Sequence, residues 1–147
     1  NFPATPEEKA DAPEGLIEAL GVNPIYTGRS VFDYLVELDS EESVRNIKPD
    51  FEKLLKVRTR GVIVTAKSSE YDFVSRFFAP AIGVPEDPVT GSAHCCLGPY
   101  WMKKLGKDTF IAYQASGRGG VLKVRVAGER VLLMGKAVTV LEGDLLY

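Results

Sequence analysis

The chain has 147 residues, of which 45% are hydrophobic and 26% are charged, and its net charge at pH 7 is −2. This size and composition predict one compact globular domain whose core is large enough to fold without disulfide or metal cross-links. So small a net charge gives no electrostatic reason to expect nucleic acid or an anionic membrane as a partner. No apolar run approaches the length of a membrane-spanning helix.

The two cysteines of the sequence, Cys95 and Cys96, are adjacent. Neighbouring cysteines are badly placed to cross-link a fold, so we expect free thiols in a reducing compartment, with the cytoplasm as the location. The sequence opens at Asn1 rather than at a methionine. We therefore expect a fragment that begins partway along a longer protein.

The first half of the chain predicts short helices and strands. Residues 1–13 hold three prolines and several charges, which is typical of a linker or an extended lead-in. Helices are indicated by apolar residues at helical spacing and by the N-cap residues Ser40 and Asp50, and strands by β-branched and aromatic runs. The predicted elements are a helix over 14–20, strands over 25–28 and 31–38, helices over 41–48 and 51–56, and strands over 61–65 and 71–78.

The second half predicts one long helix followed by strands. A loop over 81–88 leads to a helix from about Thr90 to Leu105, which Gly106 closes. The strands after it cover 110–114, 120–126, 130–134 and 137–141, with tight turns at 127–129 and 135–136. One long helix among many strands predicts an α+β lobe: a curved, mostly antiparallel sheet or open barrel around a central helix.

The start of the long helix has the residues best suited to bind an anion. The first-turn N–H groups of a helix have no internal partners, and the helix dipole adds positive charge there. Gly91 lets a ligand approach the backbone closely, and the small side chain of Ser92 keeps the approach open. Glu86 and Asp87 come just before this turn. There, helix N–H donors favour the charged form of a carboxylate, while burial and a bound anion favour its protonated form. A carboxylate balanced in this way can accept and donate a proton. His94 has the one side chain that ordinarily titrates near neutral pH.

A plainer interpretation exists for each of these residues. Asp and Thr are favoured at helix starts for capping alone, so Asp87 and Thr90 could be turn and cap residues. A lone histidine such as His94 is more often structural than catalytic. Cys95 and Cys96 are expected to face the core from within the helix.

A resemblance to a known family favours the functional interpretation. The run Glu-Asp-Pro-x-Thr-Gly-Ser-Ala over 86–93, preceded by Arg-Phe-Phe-Ala-Pro over 76–80, resembles the signature of PhzF-like proteins, the phenazine biosynthesis-like family. Segments 113–120 and 135–140 resemble the C-terminal half of the same family, and residues 1–4 resemble the end of its first lobe. The likeness is strong over most of 60–147 and loose before it.

This resemblance implies the diaminopimelate-epimerase fold, in which two similar lobes enclose the active site in a cleft. Residues 1–13 would be the lead-in from a missing N-terminal lobe, and 14–147 the C-terminal lobe. In the phenazine enzyme of the family, the reaction is a cofactor-free isomerisation of a dihydro-hydroxyanthranilate. The implied function is therefore a cofactor-independent isomerase or epimerase that transfers protons on a small carboxylate metabolite.

The resemblance also implies roles for particular residues. Asp87 matches the family's second-lobe carboxylate, and Gly91 and Ser92 match its substrate-binding positions, with Ser92 a hydrogen-bond donor and Thr90 beside them. The main acid/base, a glutamate, belongs to the first lobe, so we expect the isolated fragment to be inactive. The expected partners are a small anionic metabolite and the N-terminal lobe, or a second copy of the chain covering the apolar cleft wall.

Arg118 lies in a glycine-rich loop, Ser-Gly-Arg-Gly-Gly over 116–120. The glycines could form a turn or bulge that leaves Arg118 in solvent. On the resemblance, we expect the loop to face the cleft, where the cation would attract an acidic substrate.

Other functions remain as alternatives. A cysteine-based racemase would need a reactive thiol, and a non-catalytic binding protein could keep the family cleft. A metal enzyme is disfavoured because the sequence has one histidine and no cluster at ligand spacing. A dinucleotide enzyme is disfavoured because no Gly-x-Gly-x-x-Gly follows a predicted strand.

Overall fold

The computed structural model describes residues 1–144. Over that range the helices are α1 (Leu16–Leu20), α2 (Glu41–Asn46), α3 (Phe51–Leu54) and α4 (Gly91–Leu105), with a 3₁₀ turn at Pro80–Ile82. The strands are β1 (Phe2–Pro3), β2 (Glu8–Lys9), β3 (Tyr26–Arg29), β4 (Asp33–Glu37), β5 (Gly61–Lys67), β6 (Phe73–Ala79), β7 (Val84–Glu86), β8 (Thr109–Gln114), β9 (Gly120–Ala127) and β10 (Arg130–Met134).

All ten described strands belong to one sheet. Its order is β1-β10-β9-β8-β6-β5-β4-β3-β2, and β7 pairs with β6 beside this path. The β4–β5 and β6–β8 pairs are parallel, and the remaining pairs are antiparallel. The predicted α+β class and the mostly antiparallel sheet are confirmed.

The sheet curls until its two edges come close together. β1 pairs with β10 at one edge and β2 pairs with β3 at the other, yet only residues 4–7 separate β1 from β2 in the chain. Five residue steps span at most about 17 Å, so Pro3 at the end of β1 and Glu8 at the start of β2 lie no farther apart than that. The segment over 4–7 crosses α4, where Thr5 donates its backbone N–H to the carbonyl of Cys95 over 3.1 Å.

Pro99 explains why that carbonyl is available. Pro99 lies inside α4, four residues after Cys95, and proline has no N–H to donate to the carbonyl one turn earlier. The backbone of Thr5 supplies the missing donor. The lead-in segment therefore satisfies a polar group that the helix leaves unpaired.

The core has two parts, one on each face of the sheet. The inner part surrounds α4, where Trp101 stacks on Phe73 at a ring distance of 5.5 Å. The outer part packs β4, β5 and β6 against α1, α2 and α3. Because neighbouring side chains of a strand point to opposite faces, Ile63 belongs to the inner part while Val62 and Val64 belong to the outer part.

Several predicted boundaries need correction. The prediction of a strand over 137–141 was wrong: residues 135–144 have no regular secondary structure. The outer edge of β10 already pairs with β1 at Arg130 and Val131, and the side chains of Val138 and Val140 stay exposed. The predicted loop over 81–88 overlaps the 3₁₀ turn at Pro80–Ile82 and contains β7. Ser40 and Asp50 cap α2 and α3 as predicted.

None of the helices found between residues 1 and 144 is long and apolar enough to cross a bilayer.

Candidate functional site

The first turn of α4 reaches solvent at Gly91 and Ser92, while Thr90 and Ala93 on either side are buried. Thr90 is the N-cap residue, with φ −110° and ψ 104°; its side chain makes no capping hydrogen bond, and its own N–H is bound by Gln114 Oε1. Gly91 is half-buried and Ser92 is exposed. The backbone N–H groups at the start of a helix of this length are therefore available to an anion.

Packing within the chain does not require a glycine at position 91. A Cβ added to Gly91 would meet only Leu133 Cδ1, at 3.4 Å, and the residue has no positive φ. By contrast, a Cβ on Gly98, seven residues further along the same helix, would lie 3.1 Å from Val126 Cγ2. The absence of a side chain at Gly91 therefore matters most for what approaches the helix start from outside.

Asp87 is held beside this turn through Thr90 and Gln114. The Thr90 hydroxyl donates to Asp87 Oδ2 over 2.5 Å. Gln114 Nε2 donates to the Asp87 carbonyl at 2.7 Å and to Thr90 Oγ1 at 3.1 Å, and its Oε1 accepts the Thr90 N–H at 2.7 Å. Gln114 is fully buried and lies on strand β8, so the sheet anchors both the backbone of Asp87 and the Thr90 hydroxyl that binds the Asp87 carboxylate. Among residues 1–144, this carboxylate accepts a hydrogen bond at Oδ2 only, which leaves Oδ1 available.

The loop that carries Arg118 lies beside the same turn. Ser116 Oγ donates to the carbonyl of Pro88 over 2.7 Å and accepts the Gly119 N–H. A Cβ on Gly120 would come within 2.4 Å of Val89, so the loop and the turn are in close contact. Arg118 is exposed and lines an open groove of about 790 Å³ together with Val89. Whether Arg118 contacts substrate stays a prediction.

An arginine that the sequence analysis did not select also reaches the helix start. Arg60 Nε donates to Asp33 Oδ1 at 2.8 Å, and Arg60 Nη2 donates to Asp33 Oδ2. The same Nη2 donates to Ser92 Oγ over 3.1 Å. The hydrogen bonds with Asp33 raise the pKa of Arg60 above its ordinary value. Arg60 therefore places a fixed positive charge next to Ser92.

Glu86 is occupied elsewhere. Its two carboxylate oxygens accept from Arg76 at 2.7 and 3.0 Å, and Arg76 Nη1 also donates to the Ile47 carbonyl at the end of α2. This ion pair connects β7, β6 and α2. Of the two acidic residues that precede the helix, Glu86 is paired with Arg76, and Asp87 makes no ion pair among the described residues.

His94 lies in the core. Its Nδ1 is 2.8 Å from the Thr90 carbonyl, and since a carbonyl only accepts, Nδ1 carries the proton. Nε2 is buried and has no hydrogen-bond partner within the described part of the chain. Burial lowers the pKa of His94 to about 4, against a smaller opposing effect of the Thr90 hydrogen bond. His94 is therefore neutral at physiological pH.

Both cysteine thiols are buried, as predicted. Burial raises the pKa of Cys95, and it raises the pKa of Cys96 to about 12. A thiol acts as a nucleophile or base through its thiolate form, so neither side chain resembles the reactive group of a cysteine racemase. Over residues 1–144, no group of three or more His, Cys, Asp and Glu side chains is arranged to hold a metal ion.

The structure brings Asp87, Thr90, Gly91 and Ser92 together at one end of α4, and adds Arg60, Asp33 and Gln114. The positions of these three follow from strand pairing. β4 and β5 are parallel with Asp33 opposite Gly61, which places Asp33 and Arg60 at the same end of neighbouring strands. Gln114 lies in the segment 113–120 that carries the family resemblance. Its contacts with Asp87 and Thr90 could not be predicted from the sequence, because they depend on how β8 packs against the start of α4.

Comparison with known proteins agrees with the fold and the motif. The family model described as phenazine biosynthesis-like protein matches residues 5–143. The chain is 56% identical over 149 residues to an uncharacterised isomerase of Halalkalibacterium halodurans, covering 99% of the chain and 56% of the relative. It is 51% identical over 143 residues to an uncharacterised isomerase of Pseudomonas aeruginosa, covering 97% and 55%.

A crystal structure of a PhzF family phenazine biosynthesis protein from Enterococcus faecalis superposes with a TM-score of 0.84 at 41% identity, covering 90% of the chain and 51% of that protein. The chain thus spans about half the length of the curated relatives it matches. The chain belongs to the phenazine biosynthesis-like, or PhzF, protein family.

Proposed function

We propose that this chain is the C-terminal lobe of an isomerase or epimerase that transfers protons on a small carboxylate metabolite without a cofactor. Its similarity to proteins named isomerases supports the reaction class. The observation that carries the proposal is the open start of α4 beside Asp87, whose Oδ2 is held by Thr90. An anion bound at the helix start would lie next to a carboxylate of fixed position.

Asp87 is the proposed proton-transferring or orienting group of this lobe. Thr90 and Gln114 hold one of its oxygens and its backbone, so the other oxygen, Oδ1, can meet a substrate C–H or N–H. A base at fixed distance from the reacting atom accelerates proton transfer, typically by about 10²- to 10⁴-fold. Proton transfer moves charge within the substrate, and the helix amides would stabilise that charge where it develops.

Gly91 and Ser92 are the proposed binding residues for the substrate anion, with Arg118 at the edge. Thr90, which the sequence analysis also expected to bind substrate, is buried and donates its hydroxyl to Asp87 and its N–H to Gln114, so its role here is to hold Asp87. Gly91 allows close approach to the backbone, and the exposed Ser92 hydroxyl can donate a hydrogen bond. Arg118 lines the neighbouring groove and adds positive charge.

The companion of this lobe supplies the rest of the proposed site. By the family resemblance, the main acid/base is a glutamate of an N-terminal lobe, and the substrate lies between the two lobes. A second copy of the chain could cover the same face instead. We propose a cytoplasmic location for the whole protein.

The test is substitution of Asp87 by Asn in the protein at its natural length, as established by intact-mass spectrometry of the cellular protein. A panel of small carboxylic acids would be incubated in D₂O, and deuterium incorporation at carbon would be followed by NMR. We expect the wild type to exchange at least one substrate and Asp87→Asn to lose about 10²-fold or more. Asp11→Asn, a matched change at an exposed lead-in position, should retain the wild-type rate.

Retention of exchange by Asp87→Asn would contradict the assignment of Asp87. If no acid in the panel exchanges and the wild type nevertheless binds carboxylates, the alternative of a non-catalytic binding protein that keeps the family cleft gains support. The exposed Ser92 leaves the approach to the amides unblocked, whereas an approach filled by side chains would have counted against an enzyme.

A further inference from the structure

Arg60 is held more rigidly than a surface arginine. Its guanidinium makes a two-point contact with Asp33, whose side chain is only 2% exposed. The parallel pairing of β4 with β5, with Asp33 opposite Gly61, fixes the two residues at the same strand ends. A planar fork bound at two points has little freedom left to rotate.

Aromatic rings hold the same group from the sides. The Arg60 guanidinium carbon lies 4.8 Å from the centre of the Phe32 ring and 5.8 Å from that of Phe77. A Cβ on Gly61, the residue after Arg60, would come within 2.3 Å of Phe77, so this glycine leaves the space that the Phe77 ring occupies. Packing and ion pairing together give Arg60 one orientation.

In that orientation Arg60 reaches Ser92. Its Nη2 donates to Ser92 Oγ over 3.1 Å. A hydroxyl has one proton and two acceptor positions, so an N–H bound to Oγ leaves the Ser92 proton free to be donated elsewhere. A neighbouring guanidinium also strengthens that donation, because hydrogen bonds linked to a charged group are the stronger ones.

We propose that Arg60 is a positioning residue for the anion site: with Asp33 behind it, it orients the Ser92 hydroxyl towards a carboxylate bound at the start of α4. This inference rests on the proposed function, since it concerns how the same site recognises its substrate. The ligand class is a small carboxylate, bound by the helix amides and by one oriented hydroxyl, with the Arg60 charge close by.

The experiment is a double-mutant cycle with Arg60→Lys, Ser92→Ala and the combined variant in the 147-residue chain. Lysine keeps a positive charge beside Asp33. It lacks the planar guanidinium whose N–H donors bind both Asp33 oxygens and Ser92 at the same time. The probe is benzoate, titrated while the backbone amide signals of Gly91, Ser92 and Ala93 are followed by NMR. Benzamide, its neutral counterpart of the same shape, is the control ligand. Urea unfolding of each variant verifies that the measured signals come from folded protein.

We expect benzoate but not benzamide to shift the three amide signals of the wild type. Arg60→Lys and Ser92→Ala should each weaken benzoate binding about tenfold, the size expected for one charge-linked hydrogen bond. The combined variant should bind about as weakly as Ser92→Ala alone, because Arg60 acts through Ser92.

Two results would overturn the inference. If Arg60→Lys binds benzoate as tightly as the wild type, or if the two losses multiply in the combined variant, Arg60 has only a structural role while the anion site itself stands. If wild-type protein shows no benzoate-dependent shift at the helix start, the anion site of the proposed function fails, and the role of Arg60 fails with it.

Discussion

Gln114 and Thr90 are joined by two hydrogen bonds that run in opposite directions. Gln114 Oε1 accepts the Thr90 backbone N–H at 2.7 Å, and Gln114 Nε2 donates to Thr90 Oγ1 at 3.1 Å. The same Nε2 donates to the carbonyl of Asp87. One buried amide thus connects strand β8 to the cap of α4 and to the backbone of Asp87, whose carboxylate Thr90 binds.

Substitution of Gln114 by Leu should lower the free energy of unfolding by about 3 kcal/mol. The change keeps the approximate size of the side chain but leaves the buried Thr90 N–H and the Asp87 carbonyl without partners, at about 1–3 kcal/mol for each unsatisfied group. Urea unfolding followed by fluorescence measures the difference. Lys123→Leu, a polar-to-apolar change at an exposed position of β9, is the control and should stay within about 0.5 kcal/mol of wild type. Equal stability of Gln114→Leu and wild type would contradict the assigned contacts.

Substitution of Gly91 by Ala should separate folding from binding. The fold has room for a Cβ there, so stability should be unchanged or higher by up to about 1 kcal/mol, the usual gain of Ala over Gly in a helix. Benzoate binding, measured by NMR titration, should weaken because the methyl group projects into the approach to the amides.

Gly98→Ala is the matched control in the same helix. Its Cβ would lie 3.1 Å from Val126 and 3.2 Å from Val124 in the core, so crowding should lower stability by about 1 kcal/mol. Benzoate affinity of the folded molecules should not change. The opposite pattern, with wild-type affinity in Gly91→Ala, would argue against a ligand at this helix start.

The lowered pKa of His94 predicts that the free energy of unfolding decreases as the pH is lowered through a defined range. Burial lowers this pKa from 6.5 to about 4, so the unfolded chain binds a proton more readily than the folded one. The stabilisation is fully present above pH 6.5 and is lost as the pH falls from 6.5 through 4. The total is about 3 kcal/mol, at 1.36 kcal/mol for each pKa unit.

Urea unfolding at pH 7 and at pH 4.5 measures this dependence. His94→Gln removes the titrating ring while keeping an amide that can donate to the Thr90 carbonyl, and the difference in slope between the two proteins isolates His94. Parallel slopes for His94→Gln and wild type would show that other groups cause the loss at acid pH.

The two thiols should be unreactive in the folded protein. Burial raises the pKa of both and takes that of Cys96 to about 12, so little thiolate forms at pH 8. We expect Ellman's reagent to label neither thiol rapidly in native protein and both in 6 M guanidinium chloride, roughly a concentration that unfolds most domains. Rapid labelling of one native thiol, with protection by a carboxylate ligand, would revive the cysteine racemase alternative.

The parts of this protein that depend on nearby residues could be predicted from the sequence. The N-caps Ser40 and Asp50 each accept from a backbone N–H three residues ahead, and α4 ends at Gly106 in a left-handed conformation. The segment over 86–93 identified the family because its side chains and glycine lie in consecutive positions. The strand predicted over 137–141 failed for a non-local reason: alternation of apolar residues gains stability in a strand only where a core buries one face, and Val138 and Val140 stay exposed.

By itself, the sequence determined the family motif and the extent of α4. It also determined the alternation of apolar residues from which most of the strands form. The physical reason is that hydrogen bonds within a helix and the two-residue period of a strand involve close neighbours in the chain. Only the tertiary structure decided that Arg60, 27 residues from Asp33 and 32 from Ser92, joins those two side chains, and that Gln114 supports Asp87 from 27 residues away. Such contacts depend on strand order and on the direction of pairing, which bring distant residues together through the packing of the whole core.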